Sequence, residues 1–383
     1  MSDKSPPVHI LHLLGSLKVG GVENWLLNVI RNNDPTKYRH SFVVSERTGM
    51  EFESRFLALG AAIHVCDVRE GGAAYLYDLF RTVRRIGDVD VMHSHVHAFS
   101  AFNLLIGVAC GVPVRIAHSH TDRGRLEVGA SAIRKAYLAV AKAMLPFVMT
   151  KGIGVTQAAA VDLFGASTAA SDRVAVVPCG VDLAKFKLPA DRSAIRAAYG
   201  VNQADKVVFH TGNFVRPKNH EFAVRLGIEL CRRRSDVMFA FAGSGPLQKA
   251  MQHAAIASGY GHRFLFLGAR SDVPSLLDGL ADAFLFPSLW EGLPVALIEA
   301  QAAGLPCIVS EQISGEAFAP GSDVTVCNLQ SDTKAWTSAI EDALKRGRTW
   351  GDLSRFDLTS TSAKLSSMYR HELGQRSSRV AVA

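Results

Sequence analysis

Short apolar runs alternate with amphipathic stretches along almost the whole chain, and glycine, proline or a polar cluster closes each run. The run at 8–14 (VHILHLL) predicts a buried strand, 15–21 a glycine-rich loop and 22–32 a helix. Further strands are predicted at 40–45, 62–66, 89–95 (VDVMHSH), 114–118 (VRIAH), 152–156 and 174–178. After a polar segment from 181 to 200 that reads as a linker, the pattern restarts. Strands are predicted at 206–212 (KVVFHTG), 237–242 (VMFAFA), 264–267, 283–286 and 307–309, with helices between them and a last one at 362–373. Apolar strands of this length separated by helices predict parallel sheets covered on both faces. The expected fold class is α/β, with two doubly wound, Rossmann-like domains divided near residue 190 and a cleft between them as the usual ligand site.

The stretch 287–310, PSLWEGLPVALIEAQAAGLPCIVS, holds the densest chemistry. Pro294 suits the first position of a helix, where its missing N–H costs nothing, so Gly292 and Leu293 form the turn before a helix at 295–303. The free amides and positive dipole of such a helix start make a seat for phosphate, and Gly292 admits a ligand to the backbone. Glu291 and Glu299, spaced E-x7-E, would lie about 12 Å apart if both were helical. The carboxyl pair of a glycoside hydrolase is closer, at about 5 to 9.5 Å, so these two read as binders of hydroxyls. An amphipathic helix with surface glutamates fits the same spacing.

The loop at 15–21 is not G-x-G-x-x-G, which makes a dinucleotide site a weak reading. A glycine hinge that brings a ligand to the backbone and a plain tight connection both remain open. His93, His95 and His97 alternate, as do His118 and His120, so each set shares a face if its strand continues. Metal ligation is the lesser reading, because no carboxylate or cysteine completes a site. Ligands meet such sheets at the strand carboxyl ends, which favours His118 or His120 as a substrate contact. The helical pattern at 132–148, with Arg134, Lys135 and Lys142 along it and Lys151 just past it, reads as core-facing with snorkelling lysines. A peripheral membrane contact is the other reading.

Composition narrows the classes. Charged residues make up 20% of 383, too few for a disordered chain, and that length suits two domains. The net charge of +7 lies mostly in residues 1–188, a mild excess without the basic-aromatic interleaving of RNA binders, so no nucleic-acid partner is expected. Six scattered cysteines without C-x-x-C spacing read as reduced thiols, pointing to a cytoplasmic protein. No stretch reaches 18 uninterrupted apolar residues, so no transmembrane helix is predicted.

Several segments, in order, resemble one family. They are Gly20-Gly21-Val22-Glu23, Pro178-Cys179-Gly180-Val181-Asp182, GNFVRPKNH at 212–220, Gly243-Ser244-Gly245-Pro246, LGARSDV at 267–273, and Pro287-Ser288 with Glu291-Gly292-Leu293-Pro294 and Glu299-Ala300. Together they are similar to the retaining, nucleotide-sugar-dependent glycosyltransferases of family 4, which have the GT-B fold of two facing Rossmann-like domains. The resemblance implies an acceptor-side domain at 1–188, a nucleotide-sugar domain at 189–360, and a helix and tail at 361–383 returning to the first domain. It implies that Glu299 takes the ribose hydroxyls, Glu291 a donor-sugar hydroxyl, and the amides of Gly292 and Leu293 the diphosphate. Lys218 would neutralise phosphate charge, with Gly243 in a neighbouring turn, and backbone around Arg270 would hold the base. Gly20 and Gly21 would admit the phosphates and acceptor, and His118 or His120 would contact the donor sugar. No metal or other cofactor is expected: a lysine and a helix start stabilise the departing diphosphate instead. The co-substrate would be a nucleotide sugar, with UDP as the expected base carrier, and the acceptor a saccharide or lipid-linked saccharide. Such an enzyme would work in the cytoplasm or at the inner face of the membrane.

One departure matters. Where the family has an arginine before this lysine, the chain has Asn213, and Arg216 three residues on is the candidate replacement. Asn213 also keeps open a non-catalytic sugar-nucleotide-binding protein of the same fold, and a GT-B sugar-nucleotide epimerase is the more distant alternative. Acceptor choice would lie in first-domain loops such as 121–130.

Overall fold

The computed structural model describes residues 6–18, 20–48, 50–121, 129–187 and 190–380. It contains two parallel sheets. The first joins β1 (Val8–Leu14), β2 (Tyr38–Val44), β3 (Ala62–Val65), β4 (Val91–Ser94), β5 (Val114–Ser119), β6 (Lys151–Gly154) and β7 (Val174–Val176) in the order β3-β2-β1-β4-β5-β6-β7. The second joins β8 (Lys206–Thr211), β9 (Val237–Ala242), β10 (Phe264–Gly268), β11 (Ala283–Phe286), β12 (Cys307–Ser310) and β13 (Val324–Cys327) as β10-β9-β8-β11-β12-β13. Each order reverses beside the first strand of its sheet, so β1/β4 and β8/β11 are the switch points where loops part and leave a crevice. The central strands β1 and β8 are buried past their first residue, and in β9 and β11 every residue is buried, which is why those two read as unbroken apolar runs.

The chain divides into one unit of Met1–Gly180 with Leu358–Ala383 and another of Val181–Asp357. The division lies at Gly180, not at residue 188, and the polar segment expected as a linker belongs to the second unit. Val181 forms a parallel bridge with Asp357 and buries its side chain with Ile298 and Phe356. A side chain at Gly180 would collide with Thr361 Oγ1 and the Leu358 backbone, so only glycine allows this crossing. Further on, Arg192–Ala198 is a helix capped by Asp191. Its Arg196 is 1% exposed and donates to the carbonyls of Leu280, Asn202 and Asp205 and to the Asp282 carboxylate. A buried arginine with both terminal nitrogens so engaged is a structural post, and polarity along the sequence disguised it as a linker.

Sequence patterning missed β13 and the helix Thr333–Lys345. β13 is a half-exposed edge strand without a continuous apolar run. The helix is capped by Asp332 and buries Trp336, Ile340, Ala343 and Leu344, with Trp336 edge-on to Phe222 at 5.2 Å. The last helix, Leu358–Val380, packs on the first unit: Tyr38 donates to the Ser366 carbonyl, Lys364 to the Val176 carbonyl, and Tyr369 is buried against β4. Among the described residues no helix is long and apolar enough to cross a membrane.

Arg196→Ala would leave those carbonyls and Asp282 without their buried donor. We expect a loss of about 3–5 kcal/mol in unfolding free energy, read from urea denaturation; a change within error would show the post to be dispensable.

Candidate functional site

In the second unit the loops after β8, β9, β10 and β11 lock together at the carboxyl edge. Gly243, at φ +144°, lies so close to the Gly212 carbonyl that a Cβ would fall 2.0 Å from its oxygen. Its amide donates to the Gly268 carbonyl at 2.7 Å, and the Phe214 amide donates to the Ser244 carbonyl at 2.9 Å. Across the switch point the Leu289 amide donates to the Pro217 carbonyl at 2.8 Å, and Asn219 Nδ2 to the Pro287 carbonyl at 3.0 Å. Asn219 itself is left-handed, at φ +55°, a conformation asparagine tolerates better than most residues.

This lattice brings Lys218 to Glu291, Nζ to Oε1 at 2.6 Å, although 73 residues separate them. The Lys218 ammonium also lies over the Phe286 ring at 5.0 Å, and its stem packs on Gly212, where a Cβ would touch it. Lysine has three N–H donors, so one carboxylate does not exhaust it. Below the loop, His210 Nδ1 donates to the Leu285 carbonyl at 2.8 Å, which makes Nδ1 the protonated nitrogen. Burial lowers His210 to about 4 and His220 to about 2, so both are neutral beneath the cationic Lys218. Neither histidine was singled out from sequence.

The helix after the glycine turn is Val295–Ala302, with Pro294 as its N-cap and not its first residue. Gly292 and Leu293 form the approach to its amides. Glu299 is partly buried in the second turn; desolvation pushes its carboxyl up to about 7, and Lys185 opposes that rise. Lys185 was not a sequence candidate, because it stands in the supposed linker. Asn213 and Arg216 are both exposed on the loop that carries Lys218. Arg270 is exposed too, and its guanidinium holds Asp272 bidentately at 2.8 and 2.6 Å. These residues therefore share one edge of the second sheet.

The first-unit candidates lie on their own sheet. Gly20 caps the helix Gly21–Asn32, which follows β1, and Gly21 is exposed. The histidines form a larger group than the two H-x-H pairs suggested. His40 on β2, His12 on β1, His93 and His95 at β4, and His118 and His120 at β5 stand on four adjacent strands. His97 does not join them: β4 ends at Ser94, His97 turns at φ +51° and meets Asp162 at 2.9 Å. Burial holds His12, His93, His95 and His118 well below the ordinary imidazole range and His120 at about 3. The trios His12/His93/His95 and His95/His118/His120 each bring three nitrogens within 4.8 Å, which is metal-binding proximity. His118 and His120 are stacked at 3.9 Å, however, so their in-plane lone pairs run side by side instead of meeting at one point. Loop 121–130 falls largely at 122–128, outside the described residues.

Glu299 makes stability pH-dependent. Between pH 4.5 and about 7 the folded chain keeps a proton that the unfolded chain releases, so stability falls as pH rises through that window and is flat in this respect above it. Glu299→Gln removes that fall; equal slopes for wild type and variant in denaturation series across the window would refute it.

Comparison with known proteins matches this geometry. The family described as "Glycosyl transferases group 1" matches residues 191–354, the second unit almost entire. The chain is 29% identical over 343 residues to the putative glycosyltransferase EpsF of Bacillus subtilis, covering 88% of each. It is 23% identical over 378 residues to the capsular polysaccharide biosynthesis glycosyltransferase CapH of Staphylococcus aureus, covering 94% of this chain and 98% of that one. Its fold is similar to that of Anabaena HepE in complex with UDP-glucose, with a TM-score of 0.71 at 16% identity over 98% of this chain and 100% of that one. The two parallel sheets and these likenesses together give the chain the GT-B fold, with a second unit that matches the group 1 glycosyltransferases.

Proposed function

We propose that this enzyme transfers a sugar, with retention, from a uridine diphosphate sugar to a saccharide or lipid-linked saccharide acceptor in surface-polysaccharide synthesis. The observation that carries the reading is the Lys218–Glu291 pair at the β8/β11 switch point, beside the amino end of the helix Val295–Ala302. The names of CapH and of HepE's UDP-glucose complex support the pathway and the donor.

The leaving group is a diphosphate, whose charge grows as the glycosidic bond breaks. Lys218 and the amides at Gly292 and Leu293 meet that charge, held in place beforehand by the loop lattice. Glu291 orients Lys218 and accepts a donor-sugar hydroxyl. Glu299, poised near neutrality, accepts from the ribose. Backbone near Arg270 holds the base, and Arg216 replaces the phosphate-binding arginine missing at Asn213. From the first unit, Gly20 and Gly21 leave room at the backbone for the phosphates and acceptor, and a strand-end imidazole meets the sugar. The departing phosphate takes the acceptor proton on the same face of the sugar, so the reaction calls for neither a protein nucleophile nor a metal ion.

A cytoplasmic enzyme at the inner membrane face fits the helix Ala132–Val148. Ile133 and Phe147 are 85% exposed and Val140 54%. Their seven-residue spacing puts them on one stripe, with Arg134 and Lys135 exposed at its start to meet anionic headgroups.

Offered a panel of sugar nucleotides with saccharide acceptors, the purified protein should release nucleoside diphosphate, most from a UDP-sugar, and keep that activity after EDTA treatment; no donor bound would sink the reading. Lys218→Ala should lower turnover about 10²–10³-fold, and Arg216→Ala should weaken donor affinity about tenfold, unchanged values for the latter removing Arg216 from the site. In sedimentation with phosphatidylglycerol vesicles the wild type should pellet and an Ile133→Glu/Phe147→Glu variant should not. Wild type left in the supernatant would end the membrane proposal.

A further inference from the structure

The strand-end histidines form two head-to-tail chains. In one, Asn33 Nδ2 meets His40 Nε2 at 3.2 Å, His40 Nδ1 meets His12 Nε2 at 3.1 Å, His12 Nδ1 meets His95 Nε2 at 3.2 Å, and His95 Nδ1 meets His120 Nε2 at 2.9 Å. His120 Nδ1 then faces Cys179 Sγ at 3.9 Å, so both nitrogens of His120 are occupied. In the other chain the Tyr369 hydroxyl meets His93 Nδ1 at 2.7 Å and His93 Nε2 meets His118 Nδ1 at 3.1 Å. The chains owe their existence to register. Successive linked imidazole centroids are 5.1–5.4 Å apart, close to the roughly 4.8 Å between neighbouring strands. Within the strands, His12 stands opposite Phe42 and His93, and His93 opposite Ile116, so each link joins a histidine to the position two residues from its register partner, and that diagonal step places nitrogen against nitrogen.

The second chain has a direction. The His93–Tyr369 separation is short for an N–H donating to oxygen and normal for a hydroxyl donor. Tyr369 is 1% exposed, and were its oxygen the acceptor, its own proton would be left buried without a partner. The hydroxyl therefore donates to His93 Nδ1, His93 carries its proton on Nε2 and donates to His118 Nδ1, and His118 must carry its proton on Nε2. That His118 Nε2 is buried with no hydrogen-bond partner.

We propose that Tyr369, delivered by the C-terminal helix, is a positioning residue: acting through His93, it fixes His118 as the Nε2–H tautomer. His118, not His120, is then the imidazole with a nitrogen left over, and that nitrogen is a donor suited to an acceptor oxygen, a sugar hydroxyl or a phosphate. Tyr369 itself touches no ligand.

Nitrogen-15 spectra of histidine-labelled wild-type protein test the relay directly. His118 should show Nε2 in the protonated range and Nδ1 in the unprotonated range; the reverse pattern overturns the proposal before any variant is made. In Tyr369→Phe, which removes one oxygen and keeps the ring, the His118 pattern should shift toward Nδ1–H, a readout that a packing role alone would not move. No shift in a folded variant also overturns it. The donor-binding arm rests on the reading of a strand-end imidazole as a donor-sugar contact: Tyr369→Phe should weaken UDP-sugar affinity about tenfold, the cost of a hydrogen bond left unmade. If the tautomer shifts while affinity holds, the relay stands and it is the sugar contact that fails.

Discussion

The contact between Gly243 and the Gly212 carbonyl is the constraint on which the candidate site of the second unit depends. It closes the loops after β8 and β9 to backbone-on-backbone distance, and the Gly268 carbonyl ties in the loop after β10. With these three strand ends drawn together, the turn carrying Lys218 has one place to go. That place is above Phe286 and against Glu291. A charged pair so fixed needs little rearrangement to meet a developing negative charge, as the proposed role of Lys218 requires.

The two units solve the problem of buried polarity differently. At the β8/β11 edge, charge is kept and paired, Lys218 with Glu291. Glu299 stands between charged and neutral because its surroundings disfavour the carboxylate. On the first sheet the polar groups are neutral imidazoles, and burial keeps them so. They satisfy one another in rows whose repeat is set by strand spacing, so the sheet itself acts as the template for the hydrogen-bond chains. The C-terminal helix adds what the sheet cannot, a hydroxyl that sets the direction of one row.

The element pattern was readable in advance because it follows from local periodicity. Runs such as 237–242 and 283–286 are apolar from end to end, and a strand buried on both faces demands that. The glycine turn and Pro294 declared a helix start for the same reason: proline and glycine preferences are properties of a short segment. The errors fell where local pattern and tertiary role diverge. Residues 181–200 are polar and looked like a linker, yet Arg196 is a buried post whose partners lie up to 86 residues away. β13, half exposed at its sheet edge, had no apolar run to announce it.

The sequence by itself determined two doubly wound halves and named the residue types of the candidate site. Only the tertiary structure decided which of those residues meet. The Lys218–Glu291 pair, Lys185 near Glu299, and the passage from Tyr369 through His93 to His118 each join positions far apart in the chain. Their distances follow from strand order and register, and a one-dimensional pattern carries no information about which strands become neighbours.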